Sequence, residues 1–420
     1  MKDAPTSYLV LAAAAALATG TDAGSLTLIP VPGGQSVYLT DVSDDGRVVV
    51  GNTGTEYFFW TSEFGVVFVG GIAPGSQGAG GTGRVSADGT LLAGGNIGPA
   101  GKADASIFSI VGGGWTNGPN LGSFCDISAT SAWGMSADGN VVVGLGYPSF
   151  CTTRGFRWDR AAGIMVAMQS WFGWSCRASN VSGDGNTVVG WQADNTGQWR
   201  PCFWRQSGTS WVQTRLPAPG GASTLYGESV AASHDGQAVV GYATINGVRQ
   251  PFRWTQSTGT VGLGLAPDTT VPGAATDCSA DASRVLCYFR AGPPPTSGEG
   301  YLWISGTGYV ALEDLAASAG VVVPPEVRLS LPLSMSSDAK TIVGTGRNTA
   351  LGIDVTFVLD LRAGGGGCAA DLDGDGFVGG ADLGLLLGAW LTPGPGDLNN
   401  DGVVDGADLG LLLGQWGPCP

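Results

Sequence analysis

Two twelve-residue stretches near the C-terminus place oxygen-bearing side chains at the spacing a hard cation needs. The first carries Asp371, Asp373, Asp375 and Asp382; the second carries Asp397, Asn399, Asp401, Asp405 and Asp408. Within each stretch, oxygens fall at positions 1, 3, 5 and 12, with Gly376 or Gly402 at position 6. In that order alternate side chains point inward and the glycine takes the sharp bend. The backbone carbonyl at position 7, here Phe377 or Val403, adds a further ligand. Asp405 at position 9 is placed to hold a ligand water. Gly379 occupies that place in the first loop, so the first site is expected to be the weaker. Each loop crowds four carboxylates together, and residues 368–420 contain eight Asp and no Lys or Arg. Such a ring repels itself until a cation neutralises it. Oxygen-only ligands on flexible loops select Ca²⁺ over zinc or copper, and two ions are expected.

A helix must follow each loop. Leu383, Leu386, Leu387 and Trp390 recur at helical spacing, and Leu409, Leu412, Leu413 and Trp416 repeat it 26 residues on. Asp382 and Asp408 lie at the helix N-termini, where negative charge is favoured. The two short apolar stripes are expected to pack on each other, with Cys368 and Cys419 as a clasp. The ligand order is that of the EF-hand, but no helical pattern precedes either loop. This duplicated loop-then-helix unit resembles a type I dockerin across residues 368–420. The resemblance implies calcium-dependent folding and docking to a cohesin-type protein or cell-surface scaffold. It departs at loop positions 10 and 11, Gly380-Ala381 and Gly406-Ala407, where many dockerins carry partner-reading polar residues. A metal-stabilised cap without a partner is the competing reading, since small modules often need a metal merely to fold.

Ahead of this module, one phrase recurs seven times: Ser, any residue, Asp, then Gly or Ala, followed by an apolar run ending in Gly in most copies. Its Asp positions are 45, 88, 138, 184, 235, 281 and 338, with gaps of 43 to 57 residues. Asp-Gly supplies a turn that needs positive φ, and the Ser and Asp oxygens can lock it. Runs such as Val48-Val49-Val50 suit a strand covered on both faces. A second phrase, Phe-x-Trp in copies such as Phe156-Arg157-Trp158 and Phe252-Arg253-Trp254, puts two aromatics on one strand face. Each module thus offers about four short strands, one propeller blade. Residues 25–30 look like a fourth strand out of phase, able to complete the last blade and remove the exposed edges. The expected fold is all-β, a seven-bladed propeller of four-stranded blades with a small helical module behind it. An open solenoid or two stacked sandwiches is the alternative. The modules resemble the extracellular HAF repeats, which implies export and says little about activity. The Asp box of sialidases differs, because there a residue separates Asp from Gly.

The expected division is a signal peptide at 1–23, the propeller at 24–361, a glycine linker at 362–367 and the calcium module at 368–420. Tyr8 to Ala18 is apolar but too short to span a bilayer, and Thr21-Asp22-Ala23 offers small residues for cleavage. The chain is therefore expected outside the cell or at its surface. A formal charge of -15 argues against nucleic acid and anionic lipid as partners. Eight cysteines in an exported chain favour disulfides, and sequence neighbours are expected to pair: 125 with 151, 176 with 202, 278 with 287.

No catalytic constellation stands out. His234 is the only histidine and sits inside a repeat turn. Carboxylates that break the repeat are Asp126, Asp159, Glu228, Glu299, Glu313 and Glu326, and they pick out no pair. Trp171 and Trp174 also break it and are candidates to stack on a sugar, or to pack on a blade edge. Two functions follow. The first is a secreted binding or scaffold propeller with a docking tail. The alternative is a polysaccharide-degrading enzyme carried on that tail. Carboxylates clustered at a mouth of the ring favour the enzyme; an aromatic mouth favours binding.

Overall fold

The computed structural model describes residues 24–29, 37–71, 81–98, 101–124, 129–149, 152–208, 210–219, 225–267, 269–292, 297–362, 370, 372, 377–392, 394, 396–399 and 402–418. The expected signal peptide, the four linker glycines, Asp126, Cys125, Cys151, Cys368 and Cys419 lie outside these residues. So do Asp371, Asp373, Asp375, Asp401 and the side chain of Phe377. The chain divides into two compact units, essentially Gly24–Arg362 and the C-terminal module.

The first unit holds seven four-stranded antiparallel sheets, the blades of a propeller. Six follow the chain; the first runs Tyr38–Val42, Val49–Asn52, Tyr57–Thr61 and Gly65–Gly70. The seventh runs Val327–Met335, Thr341–Asn348 and Ile353–Asp360, and takes Ser25–Ile29 as its outer strand. That strand closes the ring, as the phase of its sequence predicts. Arg362 ties the seam further, its Nη1 donating to the carbonyl of Asp45 at 2.8 Å and its Nη2 to that of Asp44 at 3.0 Å.

The apolar cores lie between blades. Val50, Phe59, Leu92 and Phe108 join blades one and two, while Val49, Phe58, Val343 and Val358 join blades seven and one. Adjacent residues of one strand serve opposite neighbours, which is why these runs are apolar at successive positions. In Phe-x-Trp both rings do point one way: Phe156 and Trp158 pack together toward blade two.

The recurring phrase is a hydrogen-bonded lock. In blade three Ser136 Oγ donates to Asp138 Oδ1 at 2.6 Å and accepts from the Val141 N–H at 2.9 Å. Asp138 Oδ1 also accepts the Asn140 N–H at 2.9 Å. The same three bonds recur in every blade, from Ser43 to Ser336. The fourth residue of the turn has positive φ throughout, 68° at Gly139, and also at Ala282 (51°) and Ala339 (58°) in the last two blades. The turns also bond to one another around the axis. Ala87 N–H reaches the Ala137 carbonyl at 2.8 Å, Ala137 N–H that of Gly183 at 3.0 Å and His234 N–H that of Ala280 at 2.6 Å. Ser136→Ala is expected to cost about 1–3 kcal/mol, because it strands the buried Val141 N–H. Urea unfolding measures this, and an unchanged midpoint would deny the lock its role.

The expected pairing of four cysteines is corrected. Cys176, Cys202, Cys278 and Cys287 are buried free thiols. Cys176 and Cys202 lie on strands either side of Thr187–Ala193. Two strand spacings separate their backbones by roughly 9–10 Å, beyond disulfide reach. Cys278 faces Val285, while Cys287 faces Ala275, so that pair is staggered along its ladder.

The second unit contains two helices of identical sequence, Gly380–Gly388 and Gly406–Gly414. Ala370, Val378, Leu386, Val404 and Leu412 form its core, with Leu383 and Leu409 packed against them. The rest of each expected stripe is not inside: Leu387 is 50% exposed, Leu413 52%, Trp390 37% and Trp416 48%. One turn of leucine per helix fills so small a core. Among the described residues no helix is long and apolar enough to cross a membrane.

Candidate functional site

The up-and-down order of each blade sends the Ser-x-Asp-Gly turns to one face of the ring. The hairpins between second and third strands, and the loops between blades, go to the other. Both faces carry side chains that break the repeat.

On the first face, the inner strand of six blades is bulged just before the lock. The bulge re-aims the following residue, and the residues two before the lock serine line the axis: Asp41, Arg84, Asn180, Ala231 and Asp277 border a cavity of about 120 Å³. Blade seven contributes Ser334. Its Oγ lies 2.7 Å from Asp41 Oδ1 and 2.7 Å from Asp277 Oδ2. A hydroxyl has a single proton, so it donates to one carboxyl and must accept from the other. The geometry therefore calls for a proton on one Asp. Arg84 Nη1, 3.8 Å from Asp41, favours the charge there. Burial and the neighbouring Asp41 push Asp277 up to about 6, and burial also raises Asp41. The cluster reads as Asp277 acid to Ser334 hydroxyl to Asp41 carboxylate. Met335 N–H to Asp277 Oδ2 (3.0 Å) and Val85 N–H to Asp41 Oδ2 (2.9 Å) hold the ends. The sequence reading missed both aspartates, since Asp41 abuts the repeat phrase and looks like part of it.

The opposite face is aromatic and basic over blades three to six. Arg177 lies over the Trp133 ring, 3.8 Å from its centroid, and Trp191 stacks on Trp199 at 4.4 Å. Arg249 covers Tyr242 at 3.9 Å, and Arg290 lies 5.0 Å from the Tyr288 ring. Glu228, an expected candidate, is buried here as an acceptor from Arg177, from Ser179 Oγ at 2.6 Å and from Tyr242 Oη at 3.2 Å. It positions these groups and is not open to a substrate. Trp171 and Trp174 stand on the same face. Gln192 clamps Trp171 through both backbone groups at 3.0 and 3.1 Å, and Arg215 covers the Trp171 ring at 4.3 Å.

The remaining candidates are not brought together. Asp159 closes a hairpin through the Ala162 N–H (3.0 Å) and Arg157 (3.2 Å), and those bonds lower its pKa. Glu299 accepts from Tyr301 Oη at 2.7 Å, and Glu313 from the Leu329 N–H at 3.1 Å. Glu326 presents its carbonyl to Thr349. His234 is exposed in its turn.

In the C-terminal unit both position-12 carboxylates are fully buried. Asp382 accepts the N–H groups of Leu372 and Gly379, each at 2.7 Å. Asp408 accepts those of Leu398 (2.8 Å), Asn399 (3.1 Å) and Asp405 (2.7 Å). Each carboxylate thus draws positions 2 and 9 of its loop together around itself. Asp397 Oδ2 accepts the Gly402 N–H at 2.8 Å, and Asp405 caps the second helix through the Ala407 N–H at 2.8 Å. Val403 is 40% exposed. Among the described residues no three His, Cys, Asp or Glu are gathered as a metal set. By their side-chain types, the acidic residues at these loop positions are of the kind a hard cation takes.

No family model matches the chain, and no curated protein sequence matches it. Solved structures similar to it include the propeller domain of the Trilobed protease from Pyrococcus furiosus, described as an open velcro topology. The identity is 11%, over 78% of this chain and 96% of that one, with a TM-score of 0.51. The chain is also similar to oligogalacturonate lyase from Vibrio parahaemolyticus (10% identity, 80% and 97% covered, TM-score 0.48). TolB from Acinetobacter baumannii is similar at 13% identity, with 78% and 80% covered and a TM-score of 0.42. At these identities the likeness is one of fold alone.

Proposed function

We propose that this chain is an exported two-part protein: a propeller that binds a surface glycan, carried on a calcium-dependent tail that docks to a cohesin-type partner. The observation that carries the docking reading is the duplicated apolar surface of the tail. Leu387 and Trp390 on one helix, and Leu413 and Trp416 on its copy, are each about a third to a half exposed. Paired exposed leucines and tryptophans on so small a unit support reading it as an interaction surface. The two calcium ions would be held by Asp371, Asp373, Asp375, Asp382 and the Phe377 carbonyl, and by Asp397, Asn399, Asp401, Asp408 and the Val403 carbonyl. Asp405 would orient a ligand water. Bound calcium supplies the charge that lets these carboxylates share one small volume.

For the propeller, the aromatic and arginine face supports binding. The competing reading, glycan cleavage by paired carboxylates, rests on Asp41 and Asp277. Their cavity of about 120 Å³ is smaller than ordinary ligand pockets, and Ser334 stands between them.

The test passes the calcium-loaded chain over a panel of cohesin-type domains. Capture is expected, with loss on chelation and in Leu387→Asp/Leu413→Asp. Absence of capture with calcium present would leave the tail a metal-bound cap. In parallel, product release from a polysaccharide panel by the wild type but not by Asp277→Asn would replace binding with catalysis.

A further inference from the structure

We propose that the groove around Arg249 and Arg290 binds an anionic sugar, one carrying carboxylate or sulfate, and that these two arginines read its charge. The proposal deepens the glycan-binding reading of the propeller and rests on it.

Two adjoining cavities share Arg249 as a wall. One, of about 280 Å³, is bordered by Trp199, Tyr226, Tyr242 and Thr244. The other, of about 120 Å³, is bordered by Pro272, Tyr288 and Arg290. Together they make an aromatic floor with a guanidinium at its middle and another at its end. Trp199 is 42% exposed at the rim and is braced from behind by its stack on Trp191.

The charge balance of this groove is unusual in a chain of net charge -15. Among the described residues neither Arg249 nor Arg290 forms an ion pair or a side-chain hydrogen bond, and Arg249 Nε and Arg290 Nη1 are buried without a partner. A buried, unpaired guanidinium nitrogen is costly, so a site that holds two of them is built for an acceptor that arrives from outside. The nearby carboxylates are already committed. Glu228 serves Arg177, Ser179 and Tyr242; Asp194 pairs with Arg200 at 3.0 Å; Glu299 accepts from Tyr301. Arg249 lies over the Tyr242 ring at 3.9 Å and Arg290 over that of Tyr288 at 5.0 Å, which holds both guanidinium groups at the groove. A guanidinium without a carboxylate partner suits an acceptor such as carboxylate or sulfate.

The aromatic surfaces select among anions. A free inorganic anion would use the arginines and leave the exposed Trp199 idle. A sugar ring presents an apolar C–H face to such rings and its charged substituent to the arginines. A polyphosphate would meet the repulsion of the whole acidic chain.

The experiment is calorimetric titration of the full-length, calcium-loaded chain. The probes are an oligomer of a uronic acid, the same oligomer with its carboxyls reduced to alcohols, and a sulfated neutral glycan. The uronic oligomer is expected to bind, with at least about a tenfold loss on carboxyl reduction. Arg249→Gln and Arg290→Gln should each weaken it by about tenfold or more, with Arg249→Lys in between. Trp199→Ala should weaken every sugar that binds. Tighter binding of the sulfated probe identifies sulfate as the source of the charge; tighter binding of the uronic oligomer identifies carboxylate. Equal binding of the acidic and reduced oligomers, sensitive to Trp199→Ala but not to Arg249→Gln, would overturn the charge reading and leave glycan binding standing. No binding by any sugar would overturn both. Unchanged thermal transitions show that each variant is folded.

Discussion

Chelating calcium from the full-length chain is expected to melt the C-terminal module and leave the propeller as it was. Among the described residues the module's core is two leucines, two valines and an alanine, a small core for some fifty residues. Its loops add a second burden, since four carboxylates in each lack a basic neighbour. A bound divalent ion would remove both problems at once, and its binding energy would become folding energy. Hydrogen exchange on the intact chain separates the two units. With calcium at about a hundredfold above its Kd, the amides of residues 380–388 and 406–414 should exchange roughly a hundredfold more slowly than in chelator. Amides of the propeller strands should not respond. Asp408→Asn removes a charge at which three loop N–H groups converge and should abolish protection in the second helix. Asp382→Asn should do the same in the first. The first loop, with Gly379 where the second has Asp405, should lose calcium at the lower chelator concentration. Equal protection with and without calcium would remove the metal, and the docking built on it, from this protein.

The ring was legible because its signals are local and repeated. Asp-Gly turns, apolar triplets and Phe-x-Trp each encode one strand or hairpin, and seven copies average out the noise in any one. The phase of Ser25–Ile29 carried the closure for the same reason. The axis was not legible, because a bulge decides which residue of the inner strand faces it. Asp41 precedes Ser43-Asp44-Asp45 and reads as one more turn carboxylate, yet the bulge at Thr40 aims it at Ser334, 293 residues away. Glu228 was visible as an exception to the repeat, but its partners Arg177 and Tyr242 lie on other strands. Cysteine parity misled for a related reason. It counts thiols and is blind to the strands between them. The tail's helices were visible as stripes, though a stripe alone does not say how much of it a small partner can cover.

Raising the pH from 4 to 8 is expected to weaken the propeller through Asp277, and Asp277→Asn is expected to remove most of that loss. The carboxyl's value in the fold, about 6, lies above its ordinary 3.8. Folding therefore favours the protonated form. The stability it contributes is full below about pH 4, declines as the pH rises through about 6, and is gone above. The difference between the two values corresponds to about 3 kcal/mol. The geometry gives the same sign: above that range Ser334 faces two carboxylates with one proton to offer, and Asp41 and Asp277 repel across it. The amide that Asp277→Asn introduces carries no charge at any pH, and its carbonyl oxygen takes the place of Oδ2 as acceptor for the Met335 N–H. The variant should match the wild type near pH 4.5 and exceed it by about 1–3 kcal/mol at pH 8, read as the urea midpoint of the propeller transition. Asp41→Asn is the informative partner. It removes the charge that opposes Asp277, so the remaining pH-dependent loss should be smaller and complete at a lower pH. An Asp277→Asn protein that is less stable than the wild type at pH 8 would reverse the argument. It would mean that the ionised carboxylate is in use, with a cation held on the axis between blades one, six and seven.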